Sequence, residues 1–278
     1  MVIQNRILLD LLRVWGRQDW IRYGVRDRTL RFFYGAYEKQ ELYLLRDLVA
    51  GRSDPVFVDI GANVGQHSLF MSRYCKQVHA FEPYEPVLTS LTDKIGDNQI
   101  RNIQVHALAI GEKDEWLDFF APHGPNRGTG SFSASHATDN NERIGQLRVV
   151  NGDSYFERLG LERVDLIKID VEGFEKSVLK GLNRTLRTSR PSLFVEFSEE
   201  TRRSFTGRDE LIGLLPADYA IYGVATNKDV AVVLNRAAYR LTTFNFEAPG
   251  GNILLQPAER GDSLNRLDYA ARLTSFST

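Results

Sequence analysis

The sequence predicts an α/β fold built on a doubly wound, mostly parallel sheet with an antiparallel edge strand. From Val56 onward, short apolar runs alternate with segments of helical period. The first run leads straight into a glycine turn, Asp59-Ile60-Gly61-Ala62-Asn63-Val64-Gly65. The last strand-like runs follow one another without long helices between them. Alternating strands and helices imply right-handed crossovers and parallel pairing. Strands without a crossover helix must turn back on themselves, which places antiparallel pairing at an edge.

Residues 1–50 read as helical. Leu8, Leu11, Leu12 and Trp15 recur at helical spacing, as do Leu42, Leu45, Leu48 and Val49. Gly51-Arg52-Ser53-Asp54-Pro55 breaks that pattern. The expected organisation is a helical arm over 1–50 and one domain over 51–278. Within the domain, 56–60 reads as the first strand and 64–74 as its helix. Residues 77–81 and 85–95 repeat the unit, and 103–109 is the third strand. Leu147-Arg148-Val149-Val150 is strand-like, and Asp153 is placed to cap the helix after it. Residues 164–169 and 192–197 are two further strands, with a helix over 174–187 between them. Strands at 219–224, 230–234 and 252–255 close the pattern. Residues 122–146 are polar, without period and rich in Gly, Ser and Asn. A stretch of that length predicts a mobile insert.

The composition removes several classes. With 35 basic and 36 acidic residues the formal net charge is −1. A nucleic-acid partner leaves a basic footprint, so none is expected. Cys75 is the one cysteine, which excludes an intramolecular disulfide and a Cys-built zinc site. No apolar run approaches the roughly 18 residues of a membrane span. The apolar stretch at 7–12 is split by Asp10 and followed by Arg13, unlike a signal peptide. A soluble, cytoplasmic chain without a transmembrane segment is expected.

The glycine turn carries the first functional signal. Ligands of doubly wound sheets bind at the carboxyl ends of the strands. A dinucleotide site needs G-x-G-x-x-G, but Asn63 and Gln66 stand where the second and third glycines belong. A P-loop fails too, because Gln66-His67-Ser68 replaces its Gly-Lys. A nucleoside without a pyrophosphate remains, and S-adenosylmethionine is one. Glu82 ends the second strand 21 residues after Gly61, at the spacing of an acid that binds ribose hydroxyls.

Asp170, Glu172 and Glu196 follow at the ends of later strands, so acidic residues gather on the ligand edge of the sheet. If the nucleoside is S-adenosylmethionine, methyl transfer from its sulfonium is an in-line displacement that needs a positioned acceptor oxygen. A hydroxyl acceptor gains from a nearby base. Asp170 is the first choice for that role, with Glu172 and Glu196 beside it. Crowding would raise at least one of these carboxyl pKa values. The same carboxylates could instead hold a divalent cation, but the favoured reading has no metal. Alternatively, Glu172 only favours a helix N-terminus, and Glu175 and Lys176 form a solvated helix face.

Three stretches resemble a known family: Phe57-Val58-Asp59-Ile60-Gly61-Ala62-Asn63-Val64-Gly65, then Phe81-Glu82-Pro83, then Leu166-Ile167-Lys168-Ile169-Asp170-Val171-Glu172-Gly173-Phe174-Glu175. They look like the FkbM-type methyltransferases, and Ser192-Leu193-Phe194-Val195-Glu196-Phe197 matches that family's fifth strand. The resemblance spans residues 43–199. It implies a Rossmann-like, class I methyltransferase fold and S-adenosylmethionine-dependent O-methylation of sugars, glycans, glycolipids or natural products. The expected cofactor-binding residues are Asp59, Gly61, Asn63, Gly65, Glu82, Pro83, Ala109, Ser131 and Asp170; the strand around Ala109 should bring backbone near the adenine. The expected catalytic residues are Asp170, Glu172 and Glu196.

Other features stay secondary. Gly128-Thr129-Gly130-Ser131-Phe132-Ser133 could cover the cofactor or acceptor. His136 and His67 read as a solvated loop histidine and a capping or surface histidine. Residues 1–31 hold seven Arg and three Asp, a local net of +4. That arm reads as packing on the domain or on a second copy in a homodimer, with an interfacial lipid helix as the competing reading. The competing functions are a nicotinamide-dependent oxidoreductase, against which the missing glycines argue, and a catalytically silent nucleoside-binding module.

Overall fold

The computed structural model describes residues 41–122, 130–132, 141–226 and 239–260. Its strands are β1 (Val56–Ile60), β2 (Gln77–Phe81), β3 (Ile103–His106), β4 (Ala109–Gly111), β5 (Glu115–Pro122), β6 (Asn141–Asn151), β7 (Leu166–Ile169), β8 (Ser192–Phe197), β9 (Tyr219–Thr226), β10 (Tyr239–Thr243) and β11 (Gly251–Pro257). The helices are α1 (41–49), α2 (Gln66–Met71), α3 (Glu85–Asp97), α4 (Gly152–Arg158), α5 (Glu175–Gly181), α6 (Asn183–Thr188), α7 (Glu199–Ser204) and α8 (Arg208–Gly213).

Eight strands form one sheet in the order β10-β9-β11-β8-β7-β1-β2-β3. From β3 to β8 every pairing is parallel. β11 then lies antiparallel between β8 and β9, and β10 is antiparallel to β9. The expected antiparallel edge is therefore a block of three strands. The chain winds outward from β1 in one direction and resumes at β7 in the other. The crevice between the ends of β1 and β7 is the switch point where such sheets bind ligands.

Side chains alternate across the strands and feed two cores. Val58, Ile60, Ile167, Ile169, Leu193 and Val195 face α4 to α8, meeting Phe156, Val178, Leu179 and Leu186. Phe57, Leu166, Phe194 and Leu254 face the opposite way and meet Leu42, Leu45 and Leu48 of α1. Residues 41–49 of the expected arm thus pack on the sheet. Residues 1–40, on which the dimer and lipid readings rest, lie outside the described residues, as do 230–234 and His136.

Several elements differ from expectation for local reasons. The third strand ends at His106, where the Leu108 N–H donates to the His106 carbonyl at 2.9 Å, turning the chain. Ala109–Gly111 then joins a second sheet, ordered β4-β6-β5. The expected insert at 122–146 is an extension of that sheet at its ends, because Pro122 pairs with Asn141 across a β5–β6 hairpin. The first helix does not start at Val64, because Asn63 and Gly65 hold left-handed backbone, at φ 51° and 85°. The helix expected over 174–187 breaks at Leu182, where φ is −109°. There Gly181 abuts β4: a Cβ on it would lie 1.9 Å from the Gly111 carbonyl oxygen. Asp153 does not cap its own helix; Asn151 does, accepting from the Ser154 N–H. Asp153 instead accepts from the N–H groups of Arg184 and Thr185, at 2.6 and 2.8 Å, and so caps α6.

Candidate active site

Gly61 leaves β1 with φ +78°, and its N–H and that of Ala62 both donate to the Phe81 carbonyl at 3.0 Å. A Cβ on Gly61 would sit 1.8 Å from the Asp170 carbonyl oxygen, so the loops after β1 and β7 touch through backbone. Glu82, at the end of β2, ties the next turn together. One carboxylate oxygen accepts from the Asn63 N–H at 3.0 Å and the other from the Tyr84 N–H at 2.9 Å. Burial pushes the Glu82 pKa up to about 7, against the pull of those two N–H groups.

These loops frame an open cleft at the switch point. Gly61, Asn63, Glu82, Pro83, Ala109, Asp170 and Glu172 line it, as the sequence placed them. Four of the expected residues do not. Asp59 is fully buried beneath the turn, where one of its carboxylate oxygens accepts from the Ser68 hydroxyl at 2.6 Å. Gly65 packs on α3, where an added Cβ would lie 2.2 Å from Leu91 Cδ1. The Ser131 hydroxyl turns from the cleft and donates to the Glu172 carbonyl at 2.6 Å. Glu196 stands behind the cleft, beside Asp170 and Glu172.

Asp170, Glu172 and Glu196 each bring a carboxylate oxygen within 4.8 Å of the others. A hard cation takes such oxygens. The charge already set against them is the Lys168 ammonium, 2.9 Å from Asp170 and 3.8 Å from Asp59. Burial, then the charges of Asp170, Glu175 and Glu200, push the Glu172 pKa up to about 7. Burial and the charges of Asp170, Glu172 and Glu175 raise that of Glu196 further, with Lys168 opposing. One Glu196 oxygen is buried without a hydrogen-bond partner. At neutral pH a carboxyl raised this far holds its proton and can donate a hydrogen bond.

Two features were not singled out from sequence and one was misread. Lys168 is one; only its spacing of two from Asp170, which puts both on one strand face, signals it. Glu175 is the misread one. It is fully buried rather than on a solvated face, and accepts from the N–H groups of Val171 and Gly173 at 3.0 and 3.3 Å. The third is an aromatic arc on the cleft wall: Tyr84, Phe119, Phe132 and Phe174 follow one another at centroid distances of 5.6, 5.0 and 5.1 Å. Phe119 comes from β5 and Phe132 from the segment bridged to it, so no local pattern announces the arc. His67 is buried, not a surface residue, with Nε2 3.9 Å from Glu41.

The profile of the methyltransferase FkbM domain matches residues 59–241, from the end of β1 to β10. The chain belongs to the FkbM methyltransferase family. It is 29% identical over 154 residues to Methyltransferase 1 of Beauveria bassiana, covering 49% of this chain and 62% of that protein. It is 26% identical over 160 residues to the hexuronic acid methyltransferase AglP of Haloferax volcanii, covering 54% and 63%. The 2-O-methyltransferase NoeI of Sinorhizobium fredii is 24% identical over 162 residues, at 54% and 65%. The chain thus spans less than two thirds of the length of these curated relatives. Among solved structures it resembles an FkbM methyltransferase from Methylobacillus flagellatus, at 16% identity and a TM-score of 0.47, over 91% of this chain and 59% of that one. Among the described residues of this family member, no helix is long and apolar enough to cross a membrane.

Proposed function

We propose that this methyltransferase moves a methyl group from S-adenosylmethionine to an oxygen, on a hydroxyl of a sugar, glycan, glycolipid or natural product. The observation that carries the reading is the continuity of one cleft, with Glu82 at one wall and Asp170 and Glu172 at another. The donor set fits a nucleoside. Both Glu82 oxygens are fixed by backbone N–H groups, and each keeps a lone pair for a ribose hydroxyl. The contact of Gly61 with the Asp170 carbonyl lets backbone line the cleft where a side chain would fill it. The aromatic arc supplies apolar wall.

S-adenosylmethionine, when bound, supplies an electrophilic methyl on a sulfonium. The chain's part is to orient the acceptor and take its proton. Asp170 is held by Lys168 at the cleft, where it can accept a hydrogen bond from the acceptor hydroxyl. Glu172, with its pKa near 7, is the group matched to receiving that proton near neutrality. Names among the relatives favour such acceptors: AglP acts on a hexuronic acid and NoeI is a 2-O-methyltransferase.

The test is calorimetric titration with S-adenosylmethionine and S-adenosylhomocysteine, with NADH as control. Micromolar binding of both sulfur nucleosides, about −8 kcal/mol, is expected. Glu82→Ala is expected to weaken it at least tenfold. Unchanged affinity in that variant, or tighter binding of NADH, overturns the reading.

A further inference from the structure

Glu172 carries a carboxylate of the site on strained backbone. Its φ is +51°, in the left-handed region that a side chain disfavours, and Gly173 beside it has φ +94°. Such a residue persists only where its surroundings over-determine it. Two buried side chains do so. From within α5, Glu175 accepts the N–H groups on either side of Glu172, those of Val171 and Gly173. Its other oxygen accepts from the Thr201 hydroxyl at 2.8 Å, which anchors it to α7. From the segment bridged to β5, Ser131 donates its hydroxyl to the Glu172 carbonyl.

Ser131 is itself fixed. It is fully buried, and its N–H and carbonyl pair with the carbonyl and N–H of Phe120, both at 2.9 Å. Its neighbours Gly130 and Phe132, and Phe119 of β5, line the cleft. The wall that a bound nucleoside would press on is therefore one hydrogen bond from the backbone of Glu172.

We propose that Ser131 is a positioning residue. Its hydroxyl holds the Glu172 peptide in the left-handed conformation and couples the aromatic wall of the cleft to the acceptor carboxylates. Filling the donor end then rigidifies the loop at 170–174, so the acceptor end is set after the donor is seated. Coupling of this kind is reciprocal: the factor by which a seated donor tightens the acceptor is the factor by which a seated acceptor tightens the donor. The inference rests on the donor reading given above.

The experiment compares wild type with Ser131→Ala, Ser131→Thr and Ser131→Val. Thr and Val have nearly the same volume and differ in the hydroxyl, so this pair separates the hydrogen bond from packing if the Ala variant folds poorly. For each, S-adenosylhomocysteine affinity is measured by calorimetry, and amide hydrogen exchange over 170–174 is followed with and without S-adenosylhomocysteine. In wild type and Ser131→Thr, ligand should slow exchange over 170–174 at least tenfold. In Ser131→Ala and Ser131→Val that slowing should fall below threefold and affinity should drop about fivefold, while exchange in β1 and β2 stays unchanged. Wild-type slowing in the Val variant overturns the coupling. Failure of wild type to bind S-adenosylhomocysteine overturns the donor reading itself, a separate result from the loss of coupling.

Discussion

Asp59 of β1 and Lys168 of β7 occupy the same register position on adjacent parallel strands, and both are buried at the centre of the sheet. The ammonium lies 3.8 Å from Asp59 and 2.9 Å from Asp170, so one cation serves a carboxylate inside the core and one at the cleft. Removing one partner of a buried pair leaves an uncompensated charge, at a cost of about 3–5 kcal/mol. Lys168→Met should therefore lose about 3 kcal/mol in denaturant unfolding. Asp59→Asn combined with Lys168→Met should recover at least about 1 kcal/mol of it, because neighbours in one network are not additive. Additive losses would show that the pair is not coupled.

The switch-point turn makes a sharper prediction. Gly61→Ala places a methyl within 1.8 Å of the Asp170 carbonyl at a φ of +78°. Both faults act on the contact between the loops after β1 and β7. Cofactor binding should be lost, with a fall in stability of at least about 1 kcal/mol from the backbone conformation alone. Calorimetry with S-adenosylhomocysteine and a thermal melt check the two effects. An Ala variant that binds like wild type would show that the turn can open without consequence.

Glu196 should trade stability for its place in the site. Its pKa is raised in the fold by burial and by the charges of Asp170, Glu172 and Glu175. A raised carboxyl favours the folded state below its unfolded pKa, and that advantage is lost as pH rises through the folded value. The native protein is then penalised at alkaline pH. Glu196→Gln removes the charge and offers an amide to the neighbouring carboxylates, so it should be more stable than wild type at pH 8 by about 1 kcal/mol. The gap should close at pH 5. Melting curves at the two pH values decide it, and a variant less stable than wild type at pH 8 would contradict the charge crowding.

The buried parallel strands were the most legible part of the fold. Residues 56–60, 77–81 and 192–197 form strands with the expected bounds, because strands covered on both faces read as continuous apolar runs. The carboxylates at strand ends were legible for the same reason: once strand order is known, their ends share an edge. Residues whose roles arise from distant backbone were not. Glu175 sits beside Lys176 in a helical stretch and reads as solvated, yet its carboxylate is buried by N–H groups of the preceding loop and by Thr201. Lys168 is hidden in an apolar run, and its counterion Asp59 lies 109 residues earlier. Ser131 reads as a loop hydroxyl for a ligand, whereas a bridge to Phe120 turns it onto Glu172.

A buried histidine pair predicts the acid limb of stability. His79 Nδ1 lies 3.1 Å from His106 Nε2, and His106 Nδ1 lies 3.2 Å from the Tyr155 hydroxyl. Phe81 stacks on the His106 ring at 4.3 Å. In this apolar setting burial, with a smaller push from His79, lowers the His106 pKa to about 4. At this residue the folded state thus binds fewer protons than the unfolded state between about pH 4 and 6.5, so its contribution to stability falls as pH falls through that window. A drop from 6.5 to 4 corresponds to about 3 kcal/mol for this residue once both states have titrated. Relative to a His106→Gln variant, the denaturant midpoint of wild type should decline from pH 6.5 to pH 4, with the imidazole carbon signals of His106 moving only near the lower end. An imidazole titrating near 6.5 in the folded protein would place His106 in water, and the chain from Tyr155 to His79 would then be broken.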